Sequence, residues 1–524
     1  MASPTNSDDS NPNYERIEDI ETSPEPRVPD QPLSQLKSFN NPKWINFDTA
    51  SGIEMSAVNS GVVSSDSYTV EEAINSFGFG KYQVRLALIT GLCWMFDSIE
   101  VTILAILSPT LHCSWKLPHW KQAIFTSLVF FGMLVSTPFW SLVESRFGKK
   151  VVLTLSSVFL AVYAFLSSFA PTFFWLIFLR MLVGFCIGSV PQSVTLFAEY
   201  LPVKHRNKCV ILLDCFWTLG ACVELLLAMV IMPLFGWRWL LGISILPVLL
   251  FACFTRNLPE SSKFHVLQGR TDAAVSCLKR VAQANGQNMI PGRLVQDDFF
   301  ASEKRGAVSD LFLKSLRKTT LLLWFIWLCV AFCYYGIVLL SAELLRPREG
   351  VCYGSLYNTD SCRAYCSDLD VTFYVDLLWT TLSEFPGTLF TIVILDFAGR
   401  RKTIAIQIFL YSIFVSLLFI CFTRRLYLTV ILSIARGVLS GIFQALYVYT
   451  PDIYPESLRS VILSTCSTMA RLGAILTPFV AQLLIYYNME AGICVYTIIG
   501  LITSLTAFLL PNELKSRENH AQLA

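Results

Sequence analysis

Twelve long apolar segments dominate this 524-residue sequence and constrain what it can fold into. One of them, residues 320–340, has no charged side chain in 21 positions. A helix of that length crosses the ~30 Å hydrocarbon layer of a bilayer, so we predict an all-α membrane protein with twelve transmembrane helices. The segments cover approximately residues 86–108, 122–143, 151–169, 173–196, 209–232, 239–256, 319–341, 373–395, 403–422, 427–449, 461–484 and 490–510.

Composition excludes several other classes of protein. Hydrophobic residues make up 54% of the chain and charged residues only 15%, against about 25% charged residues in soluble domains. Long continuous apolar runs also differ from the alternating pattern of a transmembrane β-barrel. A net charge of +2 gives no basic field for nucleic acid. We therefore expect membrane lipids as partners and no nucleic acid.

The N-terminal segment differs in composition from the rest of the chain. Its first 80 residues carry 13 acidic and only four basic side chains, which is typical of disorder, and they show no signal-peptide pattern. We predict a disordered acidic cytoplasmic tail at 1–84 before two membrane domains. The expected domains are an N-terminal six-helix half at 85–256, a cytoplasmic linker at 257–318, a C-terminal six-helix half at 319–510 with a luminal loop at 342–372, and a cytoplasmic tail at 511–524.

Loop charges and cysteines bear on orientation. Short loops on one side hold ten Lys and Arg against eight on the other, and residues 257–318 add ten more to the first side. The positive-inside rule then puts both termini in the cytoplasm. Four cysteines fall on the opposite side, which permits disulfides, but four cysteines allow three pairings. These disulfide candidates are Cys113, Cys352, Cys362 and Cys366.

A duplication divides the predicted spans into two halves. Three loop motifs recur at offsets of 251, 253 and 252 residues, each after the matching span. They are 145–150 with 396–401, 199–206 with 452–459, and 258–261 with 510–513. Two parallel six-span repeats place a substrate site at their interface near the middle of the membrane.

The charges in and beside these motifs suggest a cytoplasmic latch. We interpret them as ion pairs that form and break between conformations. The alternative is a set of solvated topology signals, because isolated exposed pairs contribute only ~0–1 kcal/mol. The proposed latch residues are Glu144, Arg146, Glu199, Arg206, Asp396, Arg400, Asp452 and Arg459.

Ionisable side chains inside the predicted spans are candidates for substrate binding or coupling. Each costs at least ~2.5–3.5 kcal/mol to bury in the bilayer, and nearby amides and aromatic rings can orient or stack on a solute. The charged candidates are Asp97, Glu100, Arg180, Asp214, Glu224, Asp376, Glu384, Arg436 and Arg471. The uncharged candidates are Gln192, Trp217, Tyr334 and Gln444, whose alternative role is packing between helices.

Spacing suggests how some of these charges are arranged. Asp97 and Glu100 are three residues apart, so we expect them on one helical face. We expect Asp214 and Glu224, ten residues apart, to face one cavity. An Asp97–Arg180 pair would either neutralise two charges or release Asp97 for protonation when the arginine moves away.

The motifs resemble those of a known family. The half-repeats resemble the major facilitator superfamily, and 259–261 and 236–239 resemble its sugar-porter and organic-ion-transporter branch. Segments 77–80, 190–196, 377–387 and 447–451 are similar to a vesicle-associated family in that branch. The resemblance extends from about residue 70 to 513 and implies two pseudo-symmetric six-helix halves. The chain departs from the family pattern at Ser141 and Ser145, where Gly and Asp are usual.

The resemblance also implies roles for particular charges. Asp97 and Arg180 match a proton-coupling pair of sugar porters. Arg471 matches an arginine of organic anion transporters, and a guanidinium binds carboxylates well, which implies an anionic or zwitterionic solute. The alternative is that Arg471 pairs with a carboxylate such as Asp376 or Glu384.

We therefore expect a secondary active transporter of a small organic solute, working by alternating access with proton coupling. The alternative is a non-transporting, transporter-shaped membrane protein that acts in binding or trafficking. The resemblance implies a synaptic vesicle membrane, with the plasma membrane as the alternative. We expect a monomer with no catalytic residues, cofactor or metal, since the sequence has no phosphate-binding loop and no histidines at metal-ligand spacing.

Overall fold

The computed structural model describes residues 67–295, 308–346, 370–420 and 425–511. Within these ranges it contains twelve helices that are long and apolar enough to cross a membrane, which confirms the predicted fold class. Most of the predicted luminal loop lies outside the described residues, as do Cys352, Cys362, Cys366 and the segments 1–66 and 512–524.

The spans are numbered in chain order. They are Lys81–Trp115, His119–Phe147, Lys149–Ser168, Phe173–Glu199, Val203–Phe235, Trp237–Asn257, Arg317–Leu344, Val371–Leu395, Arg400–Phe419, Arg425–Asp452, Leu458–Tyr487 and Met489–Phe508. We call the side on which span 1 begins and span 12 ends the terminus face, and the opposite side the far face.

Several spans are interrupted between the two faces. Span 4 consists of Phe173–Ile187 and Pro191–Glu199, span 5 of Val203–Leu213 and Cys215–Phe235, span 6 of Trp237–Ile243, Leu246–Phe254 and the 3-10 turn Thr255–Asn257, and span 8 of Val371–Leu382 and Glu384–Ala398. Span 9 consists of Arg400–Ser416 and the 3-10 turn Leu417–Phe419, and the helix of span 11 runs through Glu456–Pro478, a π-helical segment at Phe479–Leu484, and Ile485–Tyr487. Non-helical backbone at membrane depth is tolerated where it is buried in protein or lines a cavity.

Paired glycines let two helices approach closely in each half. Gly184 and Gly188 of span 4 face span 2, and Gly437 and Gly441 of span 10 face span 8. A Cβ at Gly184 would lie 2.1 Å from the carbonyl oxygen of Val129. Both glycines recur at an offset of 253 residues, so the small-residue packing motif is itself duplicated.

Regular secondary structure precedes span 1. The strand β1 (Ser67–Tyr68) pairs in parallel with β2 (Arg293–Leu294), and the helix α1 (Val70–Phe77) follows. The prediction of disorder up to residue 84 is therefore wrong for this part. Thr69 and Glu72 form a capping box at the start of α1. The helix is amphipathic, and its apolar face is buried. The acidic composition of the first 80 residues as a whole hid this short set of apolar residues.

The linker packs on the N-terminal half through α2 (Ser262–Leu267) and α3 (Thr271–Asn285). The Asn285 side chain accepts a hydrogen bond from the Tyr82 backbone N–H (3.1 Å) and donates to Gln83 Oε1 (2.9 Å). Gln83 in turn donates to the carbonyl of Tyr200 at 3.1 Å. Asn285 thus ties the end of α3 to spans 1 and 4.

The two halves meet along two pairs of spans. Span 2 packs against span 11, and span 5 packs against span 8. Within the halves, spans 1 and 5 pack together, as do spans 7 and 11. This arrangement leaves a space between the halves, where the candidate site lies.

Candidate functional site

A cavity occupies the space between the halves near mid-depth. It contains about 860 Å³ of space not filled by atoms, its open mouth included, and both halves line it. Three charged side chains line it: Asp97 of span 1, Asp214 at the break in span 5, and Arg471 of span 11. Among the described residues, no ion pair involves any of the three.

Aromatic side chains from both halves form the walls of the cavity. Trp94 and Trp217 contact edge to face with ring centroids 5.7 Å apart, and Trp327 and Tyr447 do so at 4.9 Å. Phe130, Tyr334, Tyr335 and Phe443 complete this surface, and Ser440, Gln444 and Ser467 add polar groups. The cavity can therefore hold a small organic solute with an apolar part and charged groups.

Arg471 is bound to the opposite half. Its Nη1 donates to the Met133 carbonyl and to the Thr137 hydroxyl of span 2, and Asp97 interacts with it electrostatically. The partners proposed for it in the alternative, Asp376 and Glu384, pair with Arg425 and Arg436 instead. Nothing in the sequence marked Thr137 as a site residue, because threonine is common in apolar spans.

Glu384 lies beside the cavity and joins four spans. Its Oε1 accepts hydrogen bonds from Arg436 Nε at 2.7 Å and from the Tyr334 hydroxyl at 3.0 Å. Its Oε2 accepts from the Thr218 hydroxyl at 3.1 Å, across the interface between halves. Trp217 Nε1 donates to the Tyr334 hydroxyl at 2.8 Å. Glu384 is also the first residue of its helix segment, where the helix dipole favours an anion.

Arg180 pairs with Glu100, not with Asp97. The Arg180–Glu100 ion pair is buried between spans 1 and 4, whereas Asp97 lines the central cavity. Three helical residues turn the chain by about 300°, so the two carboxylates point roughly 60° apart. The expected Asp97–Arg180 pair is therefore corrected to Glu100–Arg180.

Glu224 lies in the interior of the N-terminal half and does not share a cavity with Asp214. Its side chain is fully buried and accepts a hydrogen bond from Ser244 of span 6 at 2.9 Å. It interacts electrostatically with Glu100 and Arg180. Ten residues are about 2.8 helical turns, roughly 80° short of a whole number, which explains the divergence from Asp214.

Two other predicted site residues also lie outside the cavity lining. Asp376 forms an ion pair with Arg425 at the far-face ends of spans 8 and 10. Gln192 is buried beside the break in span 4. The predicted residues that do line the cavity are Asp97, Asp214, Trp217, Tyr334, Gln444 and Arg471.

A polar network joins the helix ends of the N-terminal half at the terminus face. The Glu260 carboxylate accepts hydrogen bonds from the backbone N–H groups of Lys149 (2.9 Å) and Lys150 (3.1 Å), at the start of span 3. Lys149 Nζ lies 2.5 Å from Glu199 and 3.8 Å from Glu144. Tyr200 donates to the Glu260 carbonyl, and burial raises the pKa of its hydroxyl. Lys149 and Glu260 were missed as site residues, although both lie in the repeated motifs.

The C-terminal half carries a related but smaller network. Arg400 forms an ion pair with Asp452, and Arg401 donates to the Leu510 carbonyl at 2.9 Å. Arg459 donates to the Tyr454 carbonyl at 3.3 Å. The side chain of Asp396 lies outside the described part of the structure.

The remaining latch candidates have different surroundings. Arg206 pairs at 3.0 Å with Glu71 of α1, from the segment that we had predicted to be disordered. Arg146 is exposed. The ion pairs at this face, over the described ranges, join groups within the N-terminal half and its packed linker, or within the C-terminal half.

Contacts between the halves seal the far face. Arg346, two residues after span 7, donates to the Pro109 carbonyl at 3.1 Å and to Cys113 Sγ at 3.7 Å. The rings of His119 and Tyr486 stack with centroids 3.5 Å apart. For the residues that the structure describes, hydrogen bonds between the halves occur at this face or at mid-depth.

The fold agrees with the comparison to protein families. A family model described as Major Facilitator Superfamily matches residues 86–350 and 377–523. The chain therefore belongs to the major facilitator superfamily, and the predicted resemblance is confirmed.

Two curated relatives are similar over most of their length. The chain is 47% identical to "Synaptic vesicle 2-related protein" of Xenopus laevis over 86% of this chain and 82% of the relative. It is 46% identical to the protein of the same name from Rattus norvegicus, over 86% and 82%. These relatives and the twelve spans identify a multi-pass membrane protein of this superfamily.

A solved structure shares the fold. The xylose transporter XylE from E. coli, in a partially occluded inward-open conformation, superposes with a TM-score of 0.63. The alignment covers 83% of this chain and 98% of XylE at 13% identity. At that identity the likeness supports the fold alone.

Proposed function

We propose that the protein is a secondary active transporter that moves a small organic solute by alternating access. The observation that carries the proposal is the central cavity, which is lined by both halves and sealed at the far face. We further propose that it acts as a monomer, without catalytic residues, in a synaptic vesicle membrane with both termini in the cytoplasm. The far face is then luminal, and the cavity is accessible from the cytoplasm.

Rocking of two rigid halves is supported by the distribution of bonds. At the terminus face, the Lys149–Glu199 and Arg400–Asp452 pairs each lie within one half. At the far face, hydrogen bonds such as Thr126 to Gln482 and Arg346 to the Pro109 carbonyl join the halves. A neutral bond contributes about 0.5–1.5 kcal/mol and one from a charged group about 1.5–3 kcal/mol, so the far-face seal can open without breaking either half.

The charge of the solute follows from Arg471. Its guanidinium faces the cavity without a carboxylate at ion-pair distance among the described residues. A solute carboxylate or similar anionic group would compensate this charge with charge-assisted hydrogen bonds. We therefore propose an anionic or zwitterionic solute.

Proton coupling is assigned to the buried cluster of Glu100, Arg180 and Glu224. One guanidinium cannot neutralise two carboxylates, and an uncompensated charge at this depth is costly. Glu224 Oε2 has no hydrogen-bond partner within the described structure. We propose that a transported proton binds this cluster and that it leaves when the helices move.

Uptake into proteoliposomes tests the proposal. The purified chain is reconstituted, a mixed library of organic solutes is added, and accumulated compounds are identified by mass spectrometry with and without a pH gradient. We expect accumulation of an anionic or zwitterionic solute that increases with the gradient. Asp272→Asn, at an exposed position on α3, is the matched control. A solute that binds but never accumulates would support the non-transporting alternative, which the comparisons do not favour.

A further inference from the structure

We infer that Asp214 anchors a protonated amine of the solute, so that the transported compound is a zwitterion with its ammonium group at Asp214 and its anionic group at Arg471. This inference rests on the proposed function and specifies its substrate class. Nothing in the sequence pattern distinguished Asp214 from the other acidic residues of the spans.

The position of Asp214 favours ligand binding over a structural role. It lies at the break between the two helical segments of span 5, and its carbonyl accepts a hydrogen bond from the Trp217 backbone N–H at 2.9 Å. Its side chain lines the cavity and is only partly buried. The buried carboxylates Glu100 and Glu384 each have an arginine partner, and Glu224 accepts a hydrogen bond from Ser244. No ion pair among the described residues involves Asp214.

The surroundings of Asp214 suit a cation. Glu384, although paired with Arg436, acts electrostatically on Asp214, and Gln444 lies within hydrogen-bonding range on the opposite half. The Trp217 ring and Tyr447 also border this part of the cavity. An ammonium group near aromatic rings is stabilised by cation–π attraction, in addition to its ion pair.

The charge balance of the cavity argues against a purely anionic solute. Two carboxylates and one guanidinium line the cavity, and Asp97 already offsets part of the positive field of Arg471. A simple anion would leave Asp214 uncompensated and would be repelled by it. A simple cation would leave Arg471 without an anionic partner. A zwitterion provides a partner for both.

Binding of four probes that share a phenyl ring and differ in their charged groups tests the inference. We propose to measure the Kd of phenylalanine, 2-phenylethylamine, phenylacetate and 2-phenylethanol for the full chain in lipid nanodiscs. Phenylalanine should bind most tightly, and Asp214→Asn should weaken phenylalanine and 2-phenylethylamine by about tenfold or more. Phenylacetate, no longer repelled by Asp214, should bind the variant more tightly than it binds the wild type. Arg471→Gln should weaken phenylalanine and phenylacetate but spare 2-phenylethylamine.

Controls separate binding from folding and from transport. Asp214→Glu should retain amine binding in part, and Asp272→Asn should bind as the wild type does. The inference is overturned if phenylacetate binds more tightly than both amines, if Asp214→Asn binds amines normally, or if no amine binds. Binding as expected without uptake of phenylalanine, or of any amine, would reject the transport function alone. Uptake of anions that does not depend on Asp214 would reject the inference alone.

Discussion

The carboxylate of Glu384 accepts a hydrogen bond from the Thr218 hydroxyl at 3.1 Å and thereby connects span 8 to span 5 of the opposite half. The same carboxylate neutralises Arg436, which is 4% exposed. One acidic side chain therefore compensates a buried charge and joins the two halves beside the cavity. These two tasks can be separated by substitution.

Glu384→Gln should destabilise the protein strongly. The glutamine preserves shape but leaves the Arg436 guanidinium buried without a counter-charge, and breaking one side of a buried pair costs about 3–5 kcal/mol. We expect a lower midpoint of thermal unfolding in detergent. The double variant Glu384→Gln/Arg436→Met should recover part of the loss, because it removes the unpaired charge. Equal midpoints for wild type and Glu384→Gln would contradict this assignment.

Thr218→Val should weaken the interface between the two halves and leave the Glu384–Arg436 ion pair intact. It removes the hydroxyl that reaches Glu384 from the other half while preserving volume, so Arg436 stays neutralised. Loss of one such bond is worth about 1.5–3 kcal/mol where a charged group accepts. We expect a shifted balance between conformations, measured as a changed distance between spin labels on spans 5 and 8. Ser440→Ala, which removes a hydrogen bond to the backbone carbonyl of Glu384 within the C-terminal half, should leave that distance unaltered.

Glu224→Gln should uncouple transport from protons. The amide removes the second carboxylate beside Arg180 and so removes the excess negative charge that we assign to proton binding. We expect exchange of solute across proteoliposomes to continue, while accumulation driven by a pH gradient is lost. Asp97→Asn serves as the comparison, because Asp97 lies in the cavity and not in this cluster. If Asp97→Asn alone abolished the dependence on the gradient, the coupling site would lie in the cavity.

The twelve spans and the duplicated halves were predictable because both signals are long or repeated. The run at 320–340 can only be buried in lipid or protein, and the offset near 252 residues recurs in the glycines that pack spans 4 and 10. A long or repeated pattern remains recognisable even when the boundary or role of a single residue is assigned incorrectly.

Pairing of the buried charges was not predictable from spacing. Asp97 and Glu100 both had a reason to meet Arg180, and a rotation of about 60° along one helix decided between them. Asp376 looked like a cavity residue until its depth in span 8 was known, since the sequence does not show where a span enters the membrane. The Thr69 capping box was visible in the sequence, but the acidic composition around it outweighed four buried apolar residues of α1.

Gly184→Ala should disrupt the packing of span 4 on span 2. The added methyl group would lie 2.1 Å from the Val129 carbonyl oxygen, which is backbone and cannot move aside alone. Overpacking of this kind costs about 1–3 kcal/mol, so we expect a lower unfolding midpoint. Gly242→Ala is a suitable control, because the nearest atom to its methyl group is Ser168 Oγ at 4.0 Å. Comparable midpoints for the two variants would contradict the close-packing role.

Asn285→Ala should release the linker from the N-terminal half. Asn285 is bonded to Tyr82 and Gln83, at the start of span 1, and to the carbonyl of Gly78. Without these bonds the α3 helix keeps its own hydrogen bonds but loses its attachment to the membrane domain. We expect faster amide hydrogen exchange in α1 and in the first turn of span 1, measured by mass spectrometry, with little change in spans 7–12. Gln283→Ala alters an exposed side chain two residues away and should leave exchange as in the wild type. The same exchange rates in the wild type and in both variants would show that the linker is attached by its apolar face alone.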